Sequence, residues 1–209
     1  MRKLVFPTFL FFIMINTVIA APEPAVVQGA DEWTVDVKYD HPRRIRVETG
    51  GEQRLYWYLI LTVTNNTGKD VDFYPGCELM TGTFDIIPAG KDVSPAVFNA
   101  IKQRHKTGYP FLEWIQKTSN RILQGEDNTK DLAVIFPDFT SKANGFKIFI
   151  SGLSNETAVV EHPTATDENG EPVKIFLRKT LELDYKLKGD TSLREEVKLE
   201  PQGSNWVMR

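Results

Sequence analysis

The chain has 209 residues, with 25 Lys and Arg against 28 Asp and Glu, a net charge of −3 and a single cysteine. Mild acidity is the wrong sign for a nucleic-acid partner, which needs a basic surface. One cysteine leaves no internal disulfide, so stability must come from an apolar core, and Cys77 is read as a small buried hydrophobe rather than a nucleophile.

Residues 1–20 have the form of a secretory signal peptide. Arg2 and Lys3 precede a mostly apolar stretch, and Val18, Ile19 and Ala20 supply small enough side chains for cleavage after Ala20 or Ala21. The apolar run of about 16 residues is interrupted by Pro7 and is short of the roughly 20 that span a bilayer. Cleavage removes two basic residues and no acid, which takes the net charge from −3 to −5. The export signal implies a periplasmic or extracellular address. No later stretch is apolar enough to be a transmembrane segment. Residues 21–30, with two prolines and no period, read as a flexible lead-in to one domain over residues 31–209.

The first predicted strand covers residues 33–39, with Trp33, Val35, Val37 and Tyr39 on one face. His41, Pro42, Arg43 and Arg44 break it. Ile45 and Val47 allow a short second strand up to a turn at Gly50 and Gly51. The three arginines Arg43, Arg44 and Arg46 are read as a solvated strand edge, with contact to an anionic surface as the alternative.

Residues 55–68 are the centre of the chain. Leu55, Trp57, Leu59, Leu61 and Val63 fall on one side of a period-two strand, and Tyr56, Tyr58 and Ile60 make the other side apolar too. Such a strand belongs in the middle of a sheet. The turn-rich residues 65–70 then suggest a hairpin with residues 71–74, ended by Pro75 and Gly76. Another strand is predicted over residues 78–87.

The period changes after Gly90. Ser94 is a suitable N-cap, Pro95 sits at the first helical position, and Val97, Phe98, Ile101 and His105 follow at helical spacing, which predicts a helix over residues 95–106. A second short helix is expected around Phe111, Leu112 and Ile115. Together they form a helical insertion over residues 94–118. Its aromatic residues Tyr109, Phe111 and Trp114 are the candidate binding residues, because exposed rings stack on sugars or grip protein partners; the alternative is that the insertion's apolar side chains cap one end of the core.

The β pattern then returns over residues 132–136, 146–150 and 173–187, the last long enough to require a bend near Arg178 and Lys179. Val197, Leu199, Trp206 and Met208 suggest a final edge strand. About eight or nine strands with no βαβ alternation make the fold mainly β, an immunoglobulin-like antiparallel β-sandwich with a short helical insertion; a barrel is the other architecture the pattern permits.

The run LILTVTNNTGKDV at residues 59–71, the Leu123 to Glu126 loop and the strand over residues 132–136 resemble exported bacterial immunoglobulin-like domains, mostly of uncharacterised function. The resemblance covers residues 55–137. It implies the sandwich fold and a cell-envelope location, and carries no catalytic residues with it.

No nucleophile elbow, phosphate loop, dinucleotide fingerprint or zinc spacing occurs in the chain. His41, His105 and His162 are far apart in sequence, though folding could gather them with Met80 or Cys77 around a metal. Glu126, Asp127, Asn128 and Asp131, and Asp167, Glu168, Asn169 and Glu171, offer oxygens to calcium without the spacing of a calcium loop. The expectation is a non-catalytic binding or assembly domain of the envelope, without catalytic residue, metal or cofactor, whose partner is an envelope protein or glycan. A hydrolase of envelope glycan or polymer and a periplasmic metal-handling protein are the alternatives.

Overall fold

The computed structural model describes residues 31–209 and the backbone of residues 25–27. The signal peptide expected at residues 1–20, and residues 21–24 and 28–30 of the lead-in, lie outside the described residues. In chain order the elements are β1 (Ala25–Val27), β2 (Asp36–Tyr39), β3 (Arg43–Thr49), β4 (Glu52–Thr64), β5 (Val71–Asp72), β6 (Gly76–Thr81), β7 (Ile86–Pro88), α1 (Pro95–Arg104), β8 (Glu113–Trp114), β9 (Arg121–Ile122), β10 (Lys130–Pro137), β11 (Gly145–Ser151), β12 (Thr157–Thr166), β13 (Pro172–Lys188) and β14 (Lys198–Met208). One-turn 3-10 helices occupy Ile115–Lys117 and Glu126–Asn128. No helix among the described residues is long and apolar enough to cross a membrane.

The fold is mainly β, with two open sheets packed face to face. A seven-stranded sheet runs β1-β12-β13-β11-β6-β7, with β14 on the other edge of β13; a five-stranded sheet runs β2-β4-β10-β8, with β3 also on β4; β5 and β9 form a separate pair. β4 lies in the interior of its sheet. β10 runs antiparallel along one edge, from Val63↔Lys130 to Tyr56↔Pro137, while β2 and β3 share the other edge.

The two apolar faces of β4 have different covers. Trp57 packs edge-on against Phe146 of β11, 5.5 Å between centroids, so its face meets the seven-stranded sheet. Tyr58, on the opposite face, bonds through its hydroxyl to His105 Nε2 at the end of α1, 3.0 Å away. The molecule therefore has three layers at this point: helix, sheet, sheet. Residues 56–61 are all at most 2% exposed, and burying each large side chain contributes about 1.5–3 kcal/mol.

Several expectations change here. The hairpin expected from β4 into residues 71–74 does not form, because both edges of β4 are taken; β5 pairs with β9 instead. The turn is organised by Asn65, fully buried, whose Nδ2 donates to Lys69 O (2.8 Å) and Ile122 O (3.0 Å) and whose Oδ1 accepts from the Thr67 backbone N–H and hydroxyl. The strand expected over residues 78–87 is two strands, β6 and β7, joined by a tight turn in which Phe84 has φ +65°. The second helix around residues 111–115 is absent: Glu113–Trp114 pairs parallel to Leu132 and Ala133, completing the edge of β10. Within the lead-in, Ala25–Val27 pairs antiparallel with β12, a stretch too short for its pairing to show as a period.

α1 starts where the sequence predicts and stops two residues earlier, with His105 as its C-cap. Ser94 holds the N-cap position in extended conformation, but its hydroxyl makes no cap bond and is buried without a partner. β13 runs unbroken, and no register shift falls at the bend expected near Arg178 and Lys179: β12 pairs in constant register from Lys174 to Arg178, β14 begins at Lys179, and the shift against β14 comes between Asp184 and Tyr185.

Candidate functional site

The side chains with the most concentrated chemistry lie at the end of the sandwich where β3 and β4 meet α1 and the loop after β13. Their placement starts with a β-bulge. Tyr39 of β2 pairs with Leu61, and Arg43 of β3 pairs with Tyr58, so four steps on one side match three on the other. One extra residue in the segment containing His41 and Pro42 reverses the faces of everything after it. Val37 and Tyr39 share the inter-sheet face with Val63 and Leu61; beyond the bulge that face belongs to Arg44 and Arg46, opposite Trp57 and Leu55, while Ile45 and Val47 turn to the helix side.

Arg44 is consequently not a solvated edge residue. Its guanidinium lies 5.2 Å over the Trp57 ring, donates through Nη2 to Val197 O at 2.8 Å, and through Nη1 to Arg194 O. Burial, and next the positive Arg194, pull its pKa below the ordinary arginine value, with Glu195 and Asp138 opposing. Arg194 sits on the other side, 4.4 Å over the Phe139 ring, with Nε 3.2 Å from Asp138 Oδ1 and Nη2 donating to Phe139 O at 3.1 Å. Its side chain is 9% exposed and its Nη1 is buried with no acceptor. From the last turn of α1, Arg104 Nη1 donates to Arg44 O at 3.0 Å and to the Tyr58 hydroxyl at 3.4 Å.

Two adjoining cavities result, a trough of about 590 Å³ and one of about 510 Å³. Arg43, Arg44, Arg46 and Arg104 line the first, with Glu195 its one acid. Arg46, Arg54 and Arg194 line the second, with Asp92 and Asp138. Arg46 and Leu55 belong to both. Six of the ten arginines in the sequence meet here, and no lysine lines either cavity. Arg43, Arg46 and Arg54 form exposed pairs with Asp40, Glu195 and Glu52, each worth about 0–1 kcal/mol. Neither Arg44 nor Arg104 has a carboxylate partner among the ion pairs of the described residues.

Set against protein-family models, curated proteins and solved structures, the chain matches none. The chemistry of the site therefore rests on its own residues. A wall of Leu55, Leu199 and Trp57 beside several guanidinium groups focuses a positive potential on a chain whose net charge is negative. Such a surface binds anions; arginine's planar fork suits carboxylate and phosphate in particular.

The aromatic residues singled out in the sequence occupy three different environments. Phe111 is 83% exposed; Tyr109 is half-buried against His105, with ring centroids 5.9 Å apart; Trp114 is 8% exposed and stacks on Phe98 at 5.8 Å. Only Phe111 offers an open ring. The histidines are also separate: His41 Nδ1 lies 3.2 Å from the Tyr185 hydroxyl, His105 bonds to Tyr58, and His162 accepts from the Thr164 and Ala165 backbone. No group of three or more His, Cys, Asp or Glu poised for a metal occurs among the described residues. In the acidic loops, Asp131 accepts from the Thr62 hydroxyl at 2.7 Å, and Asp167 accepts from the backbone of Asn169 and Glu171. Cys77 is buried, which pushes its thiol pKa up.

Sequence reasoning found Arg43, Arg44 and Arg46 but missed Arg54, Arg104 and Arg194. The available signal was Pro42 between two stretches that each read as a strand, a position that marks a bulge or an edge.

Proposed function

We propose that the chain is a non-catalytic binding domain of the cell envelope, exported to the periplasm or beyond, that holds an anionic ligand in the arginine trough. The support for binding is the trough itself: two cavities within the size range of small-ligand sites, the larger lined by Arg44 and Arg104, which lack carboxylate partners among the ion pairs of the described residues. The support for export is the leader pattern of residues 1–20. The immunoglobulin-like character of the sandwich belongs to the same proposal, and rests on the antiparallel pairing that dominates both sheets and on the resemblance of residues 55–137.

The test is co-sedimentation of the exported, purified chain with envelope fragments of the source cells. The wild type is expected to pellet with them and to be released by salt. The double variant Arg43→Gln with Arg104→Gln, checked for folding by circular dichroism, is expected to stay in solution. Retention of the double variant at the wild-type level would overturn the trough as the binding device.

A further inference from the structure

The two arginine cavities adjoin. Arg46 and Leu55 are common to both, and Glu195, paired to Arg46, stands at their divide. A single small anion would fill one cavity only: in the first it would meet Arg44 and Arg104, which have no carboxylate partner among the described ion pairs, and it would leave Arg54 of the second to its exposed pair with Glu52. An elongated ligand with anionic groups along its length would engage Arg43 and Arg104 at one end and Arg54 at the other. Resting on the anion-binding reading above, we infer that the ligand is a polyanion: a flexible polymer with repeated phosphate or carboxylate groups that lies across both cavities and displaces Glu195 from Arg46.

Three observations point to this class. The first is that basic groups lining the two cavities are all arginines, carried by β3, β4, α1 and the loop before β14 and divided between two cavities instead of gathered in one. Next, Arg194 keeps Nη1 buried without an acceptor although its other nitrogens are bonded. A buried guanidinium N–H without an acceptor is unfavourable, and a small shift of Arg194 toward the cavity it lines would let a ligand oxygen relieve it. Finally, the acid at the divide is weakly held. Glu195 and Arg46 are 59% and 48% exposed, and such a solvated pair contributes little net stability, so Glu195 is readily exchanged for a ligand oxygen.

The polymer is not a nucleic acid. Single-stranded nucleic acid is gripped by exposed rings on which bases stack, and the ring in this trough, Trp57, is 1% exposed beneath Arg44. Phosphate and uronate polymers need no ring.

The test is calorimetric titration of the exported full chain with inorganic phosphate, long-chain inorganic polyphosphate, polygalacturonate and oligothymidylate, in low salt and again in high salt. One of the first two polymers is expected to bind at least about tenfold tighter per site than phosphate, because linked groups raise each other's effective concentration, and to weaken as salt rises. Which polymer binds tells phosphate from carboxylate. Glu195→Gln is expected to tighten polymer binding roughly two- to fivefold by removing the competing acid. Arg43→Gln and Arg54→Gln, exposed positions in separate cavities, are each expected to weaken it about three- to tenfold. If phosphate binds as tightly as the polymers, or if only one of the two arginine variants weakens binding, the polyanion inference fails while the anion-binding reading stands. If oligothymidylate binds tightest, the ligand class is wrong. If no anion binds and envelope retention is unaffected by the arginine variants, both fail.

Discussion

The carboxylate of Asp138 receives the indole N–H of Trp57 at 2.8 Å and, on the same oxygen, Nε of Arg194 at 3.2 Å. One side chain just past β10 thereby ties the buried ring of β4 to the loop that roofs the trough. Asp138→Ala leaves a buried indole N–H and a nearly buried guanidinium without their acceptor. The expected loss is roughly 2–4 kcal/mol, read from the urea midpoint. Asp138→Asn keeps an acceptor for Trp57 and should lose about half as much. A loss below about 1 kcal/mol for the alanine variant would show that the loop is held by packing alone.

Asn65 satisfies two backbone carbonyls and receives two donors while fully buried. Only a side-chain amide matches that set, since it needs both an amide donor and an amide acceptor, and Gln, one methylene longer, would carry its amide past these partners. Asn65→Ala and Asn65→Asp should each cost about 2–3 kcal/mol, and hydrogen exchange at Thr67 should accelerate. Unchanged protection there would mean that the turn is fixed by the strands around it.

Phe84 combines φ +65° with 81% exposure, so it is strained and buries little. The turn is fixed by its neighbours: Phe84 N donates to Thr81 O at 2.9 Å, and Asp85 N to the Thr81 hydroxyl at 3.0 Å. Phe84→Gly should therefore stabilise the protein by up to about 1 kcal/mol, with Phe84→Asn gaining less. A destabilised glycine variant would reveal that the ring makes a contact worth more than the strain.

His105 has its pKa pulled below 6.5, first by burial and then by Arg43, with Arg104 adding to this and Asp40 opposing. Above 6.5 it is neutral in both the folded and the unfolded chain and contributes no pH dependence. As pH falls through 6.5 the unfolded chain takes up the proton first, so the folded state loses stability. The urea midpoint is expected to decline between pH 7.5 and pH 5 more steeply for the wild type than for His105→Gln. Equal slopes would remove His105 as the cause. Bound anion beside Arg43 and Arg104 should raise the histidine's pKa, a shift visible in its ring proton resonances.

Much of the architecture was legible from local pattern. β4 shows two apolar faces, and Ser94 with Pro95 marks the start of α1. The pattern could demand a cover for each face of β4 without saying that one cover is a helix. Residues 111–115 carry a helical apolar spacing, but the free edge of β10 offered Trp114 a partner in Ala133, and tertiary pairing overrode local preference. β12 went unread because His162 and Pro163 interrupt its alternation. The trough was the least legible feature. Arg104 donates to the Arg44 carbonyl from 60 residues away, and Arg44 donates to the loop carbonyl of Arg194 across 150, so no short window along the chain contains these partners.

The extra residue between β2 and β3 gives the protein an unusual sensitivity to indels. Deleting a single residue from the segment around His41 would bring β3 into phase with β2, aiming Ile45 and Val47 between the sheets and expelling Arg44 and Arg46 toward the helix. Such a shortened chain would gain a greasier, more conventional interior and forfeit its positively charged groove, so that ligand recognition here hinges on a frameshift of the backbone rather than on any one arginine.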